Sequence, residues 1–269
     1  MTIREYALQG KVPEGLRIFD AHAHIGEGRC TNPYLHSLPL EESLALARRC
    51  GISRIGGMAM GAMTMADAVN ANLWLIRQCE RYDMLSFYIW YSPWQHAALM
   101  QQIEEYRDHP CFLGVKIHPR EDGCFLDTRE YDALFDYAER TQTLVMCHTW
   151  DTEGWNRPAG FQRVLEQHPK LKLVLAHMGG THAGCMDSLR LAREYENVYC
   201  DINGSLYSQI WIEELVKMAP EHKFIFSTDQ TFNDPRTMLG RVLLSELPDD
   251  LKRKILCENM ERAVGKKLV

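Results

Sequence analysis

Short apolar runs recur along the chain, each closed by a polar residue and followed by a stretch of helical periodicity. The runs cover residues 18–24, 54–58, 85–90, 112–118, 143–148, 172–177, 198–202 and 223–229. Their near-continuous apolar character predicts strands buried on both faces, as in a parallel sheet. Between them, residues 41–50, 66–82, 95–107, 129–140, 159–167, 183–194 and 209–218 repeat apolar positions every three or four residues, which predicts amphipathic helices. Residues 251–265 read as closing helices, with Glu258-Asn259 starting the last.

Eight strand-then-helix units at a steady interval predict a TIM (β/α)8 barrel, forming a single domain over residues 1–269. An open doubly wound sheet usually has fewer strands and a glycine-rich first turn, and no Gly-x-Gly-x-x-Gly follows a strand here. Proline marks the unit boundaries: His109-Pro110 and His168-Pro169 each end a helix before the next strand, because the residue before proline is pushed out of the helical region.

The polar residues that close the runs carry the chemistry. His22 and His24 stand one residue apart in Asp20-Ala21-His22-Ala23-His24, so on a strand both imidazoles project to one face. His148, His177 and Asp229 close the fifth, sixth and eighth runs, which places all five at the C-terminal mouth of a barrel. Neutral imidazoles with one carboxylate are the donor set of a catalytic metal site, whereas structural zinc sites lean on cysteine. A divalent cation there, with zinc expected, would lower the pKa of water and polarise a carbonyl. In this reading His22, His24 and His148 hold the ion, Asp229 is both ligand and base, and His177 serves the developing oxyanion and the leaving group, or is itself a ligand.

The formal charge of −6 is spread out, with no basic block that would track phosphates, which argues against a nucleic-acid partner. No apolar run is long enough to span a bilayer and the first residues lack a signal-like stretch, so no membrane association and a cytoplasmic location are expected. Nine cysteines without a Cys-x-x-Cys pair, among them Cys111, Cys147 and Cys200 in or beside strands, read as buried thiols of a reducing compartment.

These motifs resemble the amidohydrolase superfamily, in particular its amidohydrolase-related branch. The similarity runs over nearly the whole chain: Asp-Ala-His-Ala-His on the first strand, Gly114-Val115-Lys116-Ile117-His118-Pro119, His148, Leu175-Ala176-His177-Met178-Gly179-Gly180 and Ser227-Thr228-Asp229. It implies a metal-dependent barrel that hydrolyses C–N or C–O bonds or removes carboxylate carbon without oxidation. The same five residues would be ligands and catalytic groups. Two-metal branches carboxylate a lysine on the fourth strand, so one ion is expected, or two if Lys116 is carboxylated. The chain departs from the family at the eighth strand, where Ser227 replaces a glycine and the following proline is delayed to Pro235.

The leading expectation is a hydrolase of a small amide, lactone or ester; the alternatives are a non-oxidative decarboxylase of a small aromatic or enoic acid, and a barrel that only binds. Lys116, Arg120 and Trp150 are candidate substrate contacts, Arg because its fork suits a carboxylate, and the substrate is expected to be small and carboxylated. Trp155 and Arg157 lie in the same loop region. Asp20 is expected to support the barrel or orient a ligand, and Asp201 to cap the Asn203-Gly204-Ser205 loop or touch substrate. His109, His118 and His168 read as structural, and His36, His96, His182 and His222 as surface or loop residues. The methionines from Met58 to Met65 read as packing, and base rates alone suggest a homodimer.

Overall fold

The computed structural model describes residues 1–26, 38–64, 67–204 and 211–269. Cys30, His36, Met65, Ala66, Ser205 and Gln209 lie outside them. Eight parallel strands follow one another in sequence order: β1 (Phe19–Ile25), β2 (Arg54–Ala59), β3 (Leu85–Trp90), β4 (Phe112–Ile117), β5 (Val145–His148), β6 (Leu173–Ala176), β7 (Val198–Asp201) and β8 (Phe224–Ile225). Beyond β8 the chain returns to β1. The Ala21 N–H donates to the Phe226 carbonyl at 3.2 Å, and the Asp229 N–H to the His22 carbonyl at 2.8 Å. The expected TIM barrel is therefore the architecture of the chain.

Strand ends differ from the periodicity in an instructive way. The runs at 172–177 and 223–229 have apolar centres of four and three residues, yet only Leu173–Ala176 and Phe224–Ile225 stay in the ladder. His177, Met178 and Asp229 take left-handed backbone conformations, with φ of 63°, 46° and 57°. Such non-glycine conformations cost about 1–3 kcal/mol each and concentrate at functional sites. They turn the chain out of the sheet where the polar residues stand.

The helices at His96–Tyr106, Phe161–Gln167 and His182–Glu194 fall where periodicity puts them. Within the described part of the stretch 209–218, residues 211–218, the helical turn is Ile212–Leu215. Ile3–Leu8, Met60–Thr64, Pro119–Asp122 and Pro235–Leu243 are helices without a sequence expectation, being short or lying just past a strand end. The final helix, Asn259–Val264, begins where anticipated. Its buried Asn259 donates from Nδ2 to the carbonyls of Glu221 and Phe224, both at 2.8 Å, and so ties the short β8 to the chain's last helices.

Large side chains fill the barrel, among them Tyr88, whose hydroxyl donates to the Ala21 carbonyl at 3.0 Å, and a fully buried Lys116. Gly114 on β4 has no room for a side chain: a Cβ there would lie 2.2 Å from the Leu144 carbonyl oxygen. Cys111, Cys147 and Cys200 are buried free thiols. Among the described residues no helix is long and apolar enough to cross a membrane.

Candidate metal centre

His22 and His24 project to one face of β1 as their spacing requires, with ring centres 5.5 Å apart. The left-handed turn after β6 brings His177 to 5.0 Å from His22, ring to ring. Asp229, turned inward after β8, completes a group in which one ligand atom each of His22, His177 and Asp229 lie within 4.8 Å of one another. His24 joins through Nε2, 3.5 Å from Asp229 Oδ1, the same separation as from His22 Nε2 to that oxygen.

His148 stands apart in one respect. Its ring centre is 4.8 Å from that of His177, but its Nε2 faces Glu153 Oε2 at 3.5 Å. The expected set thus gathers as His22, His24, His177 and Asp229, with His148 adjoining through its ring.

Burial holds the imidazoles of His22, His24 and His177 well below their usual range and lowers His148 as well, so each is neutral near pH 7 with a lone pair to offer. The Asp229 carboxyl is pushed well above its usual range by burial, against the opposing pull of Lys116. Asp229 Oδ2 accepts from Asn233 Nδ2 at 3.1 Å, while its buried Oδ1 finds no hydrogen bond among the described residues. A buried carboxylate oxygen without a donor, ringed by neutral imidazoles, is what a divalent cation would satisfy. The residues fit such an ion.

A second tier of side chains orients these groups. His22 Nδ1 donates to Asp201 Oδ2 at 3.0 Å, and because the imidazole is neutral this contact is a hydrogen bond rather than an ion pair. His177 Nδ1 pairs with Asn203 Oδ1, and Asn203 Nδ2 reaches Asp201 Oδ2 at 2.9 Å and Ser227 Oγ. Asp20 accepts from the Thr228 N–H at 2.8 Å and from the Thr228 hydroxyl, clamping β1 to the turn that bears Asp229. Burial raises the Asp20 carboxyl to about 7 and that of Asp201 to about 6. Asp20 therefore supports the barrel, as expected. Asp201 caps the loop after β7, as one of its two expected roles has it, by accepting the Asn203 N–H at 3.1 Å, and it also holds a ring nitrogen of His22.

Lys116 donates from Nζ to His22 Nε2 at 3.0 Å. Burial lowers its ammonium to about 8. It sits among the ligands rather than at the rim, and a cation taking that His22 lone pair would displace its hydrogen bond.

Above the ligands opens a cavity of about 430 Å³ floored by His24, His177 and Asp229. Its walls are rings: His118 stacks on His148 with centres 3.9 Å apart and planes 11° apart, and Trp150 lies parallel beyond His148 at 6.2 Å. Phe232 meets the edge of His24 at 4.7 Å. Gly180 makes room for Trp150; with φ at 64°, a Cβ there would lie 2.3 Å from the indole. Arg120 reaches the rim but spends one donor on Glu153 Oε1 at 2.6 Å. Trp155 packs on Phe125 and Arg157 is exposed.

His118, expected to be structural, lines the cavity, and Met63, expected to serve packing, does too. Glu153, Asn203, Ser227 and Phe232 were not assigned to the site. One signal was available: Asp201 and Asn203 repeat the one-residue gap of His22 and His24 at a strand end. His109, by contrast, is structural as expected, accepting the Cys111 N–H at 3.1 Å.

The amidohydrolase family model Amidohydro_2 matches residues 19–266. The chain belongs to the amidohydrolase family. Among solved structures it is similar to 5-carboxyvanillate decarboxylase LigW from Sphingomonas paucimobilis, at 13% identity and TM-score 0.74, covering 94% of this chain and 100% of that one. The 5-carboxyvanillate decarboxylase of Novosphingobium aromaticivorans, solved with manganese and 4-hydroxy-3-methoxy-5-nitrobenzoic acid, gives 13%, 0.72, 93% and 96% in the same order. The 4-oxalomesaconate hydratase LigJ of Rhodopseudomonas palustris gives 14%, 0.67, 92% and 95%. No curated protein sequence matches. At such identities the structural likeness speaks to fold, and the family membership rests on the model match.

Proposed function

We propose that this amidohydrolase-family barrel is a metal-dependent, non-oxidative decarboxylase of a small planar carboxylic acid, aromatic or enoic. The observation that carries the reading is the pairing of the two halves of the cavity. The imidazole and carboxylate ligand set lies on one side, and a wall of parallel flat rings with a guanidinium at its lip lies on the other. Structural relatives named as decarboxylases support it, one of them holding manganese and a nitrobenzoic acid.

A bound cation would supply Lewis-acid charge to grip the substrate's oxygens; an imidazole and carboxylate donor set suits zinc or manganese. His22, His24, His177 and Asp229 would hold it, with His148 adjoining. The stacked rings of Trp150, His148 and His118 would orient a flat substrate and exclude water around its carboxylate. When the C–C bond breaks, its electron pair stays on the substrate carbon, carbon dioxide leaves, and that carbon takes a proton. Asp229, at the floor of the cavity, is the group placed to give it, and solvent would return the proton afterwards.

The test is a panel assay of the purified protein loaded with manganese or zinc, with and without chelator. Carbon dioxide release from hydroxybenzoates or enoic acids, abolished by chelator, is the expected result. Ring opening of lactones, amide or ester cleavage, or hydration of an enoic acid without carbon dioxide would replace the reading. Hydrolysis, the reaction the family is named for, would recast Asp229 as the base that takes a proton from water.

A further inference from the structure

Asn203 and Ser227 are fully buried, and the direction of each of their hydrogen bonds follows by elimination. Asp201 as a carboxylate only accepts: Oδ1 takes the Ser227 hydroxyl and the Asn203 N–H (3.1 Å), and Oδ2 takes Asn203 Nδ2 (2.9 Å) and His22 Nδ1 (3.0 Å). Ser227 has then spent its only proton, so its oxygen accepts the second hydrogen of Asn203 Nδ2. Nδ2 also lies 3.3 Å from His22 Nδ1, but Lys116 Nζ donates to His22 Nε2, so that ring carries its proton on Nδ1 and takes none from the amide. Both amide hydrogens are used, and the amide oxygen is the atom left against His177 Nδ1. An amide oxygen cannot donate. The proton of this pair therefore belongs to His177 Nδ1, and Nε2 keeps the lone pair.

We infer that Asn203, held in one orientation by Ser227 and Asp201, is a positioning residue that fixes His177 as its Nδ1–H tautomer. Nε2 is then the nitrogen offered to a cation or substrate. This deepens the metal-centre reading above and rests on it for its purpose. One carboxylate, Asp201, sets two imidazoles: His22 directly, and His177 through the amide. Ser227 Oγ gives the amide a second buried acceptor beside Asp201. It removes the freedom of the amide to flip, since a flipped Asn203 would set its oxygen against the Asp201 carboxylate and against a Ser227 oxygen whose proton Asp201 already takes.

The experiment is long-range proton–nitrogen NMR on metal-free full chain with 15N-labelled histidine at neutral pH, His177 being assigned by loss of its signals in His177→Gln. The expected wild-type spectrum shows a protonated Nδ1 and an unprotonated Nε2 at His177. Asn203→Leu, close in volume, should shift His177 towards the Nε2–H form while His22 stays Nδ1–H through Asp201. Ser227→Ala should give a partial shift that Ser227→Thr reverses. Calorimetric titration with manganese chloride should show affinity lowered about 10- to 100-fold in Asn203→Leu. A wild-type His177 protonated at Nε2, or an unchanged tautomer in Asn203→Leu, overturns the inference; a purely structural asparagine would lower thermal stability and leave the tautomer alone. If Asn203→Leu does not fold, the wild-type spectrum and the Ser227 pair decide. If the wild type binds no manganese yet shows the expected tautomers, the positioning stands and the metal reading falls.

Discussion

The two sides of the barrel mouth are built on different physics. On the β1, β7 and β8 side, His22, Asp201, Asn203, Ser227 and His177 form a buried chain in which hydrogen bonds fix every ring, and Asp20 locks β1 to Thr228. On the β4 and β5 side, His118, His148 and Trp150 are held by stacking, and the polar partners are a rim pair, Arg120 and Glu153, with side chains 56% and 16% exposed. His118 Nδ1 and His148 Nε2 make no hydrogen bond among the described residues. A half-exposed ion pair contributes at most about 1 kcal/mol, whereas breaking a buried hydrogen-bonded charge costs several. The first side fixes orientation through directional bonds; the second sets shape through ring contacts.

That contrast is tested hardest at the floor both sides share. Asp229→Asn keeps an oxygen donor and the fold but removes the proton carrier, so turnover should fall about 10³-fold or more with metal content retained. Elemental analysis beside the carbon dioxide assay checks it, and near-normal turnover would remove Asp229 from the chemistry. On the hydrogen-bonded side, Asp201→Asn should weaken manganese binding about 10- to 100-fold, because an amide can turn its donor toward His22 Nδ1 and favour the wrong tautomer. Calorimetric titration reads this directly, and unchanged affinity would mean that His22 is oriented by packing alone.

The sequence made the first side readable in part, and the reason is spacing. His22 and His24, one residue apart on a strand, could be assigned because strand geometry projects them to one face, and His177 and Asp229 because each closes an apolar run at the mouth, although left-handed turns aim these two inward. The eight-unit barrel was legible for the same reason, since periodicity of buried strands and amphipathic helices is a local signal. What escaped depends on contacts distant in sequence. Asn203 matters only because Ser227 and His177 meet it from other strands, and Glu153 only because the turn Asp151–Glu153 folds back on His148. The short β8 was overestimated because hydropathy cannot see the left-handed turn at Asp229.

The stacked side should answer mutation differently. Trp150→Ala removes the flat wall without touching a ligand, so KM should rise about tenfold while kcat changes little, the pattern of lost ground-state and transition-state binding alike. Arg120→Ala should act in the same direction and by less, since its guanidinium is already half committed to Glu153 and open to solvent. A fall in kcat with steady KM for either variant would make the ring wall part of the reacting geometry and erase the contrast between the two sides.

The smallest effect lies in the support of the stacked side. Asp122 ends the short helix Pro119–Asp122 that carries Arg120, and accepts the Tyr131 hydroxyl at 2.5 Å. Burial raises its carboxyl to about 6, against hydrogen bonds from Ser92 and Tyr131 that pull it down. An acid whose folded pKa is raised binds its proton more tightly when folded, so its contribution to stability is complete below the ordinary 3.8 and is lost as pH rises through about 6. That displacement caps the effect at about 3 kcal/mol, less whatever solvent screening removes. Asp122→Asn mimics the protonated acid and still accepts from Tyr131, so thermal unfolding followed from pH 4 to pH 7 should show the wild type losing stability relative to the variant as pH rises, the other buried acids titrating alike in both. Because Asp201 on the other side is also raised to about 6 yet holds His22, the same substitution there costs metal binding. If Asp122→Asn instead weakened manganese binding as Asp201→Asn does, the two sides would be one coupled network rather than a hydrogen-bonded half and a stacked half.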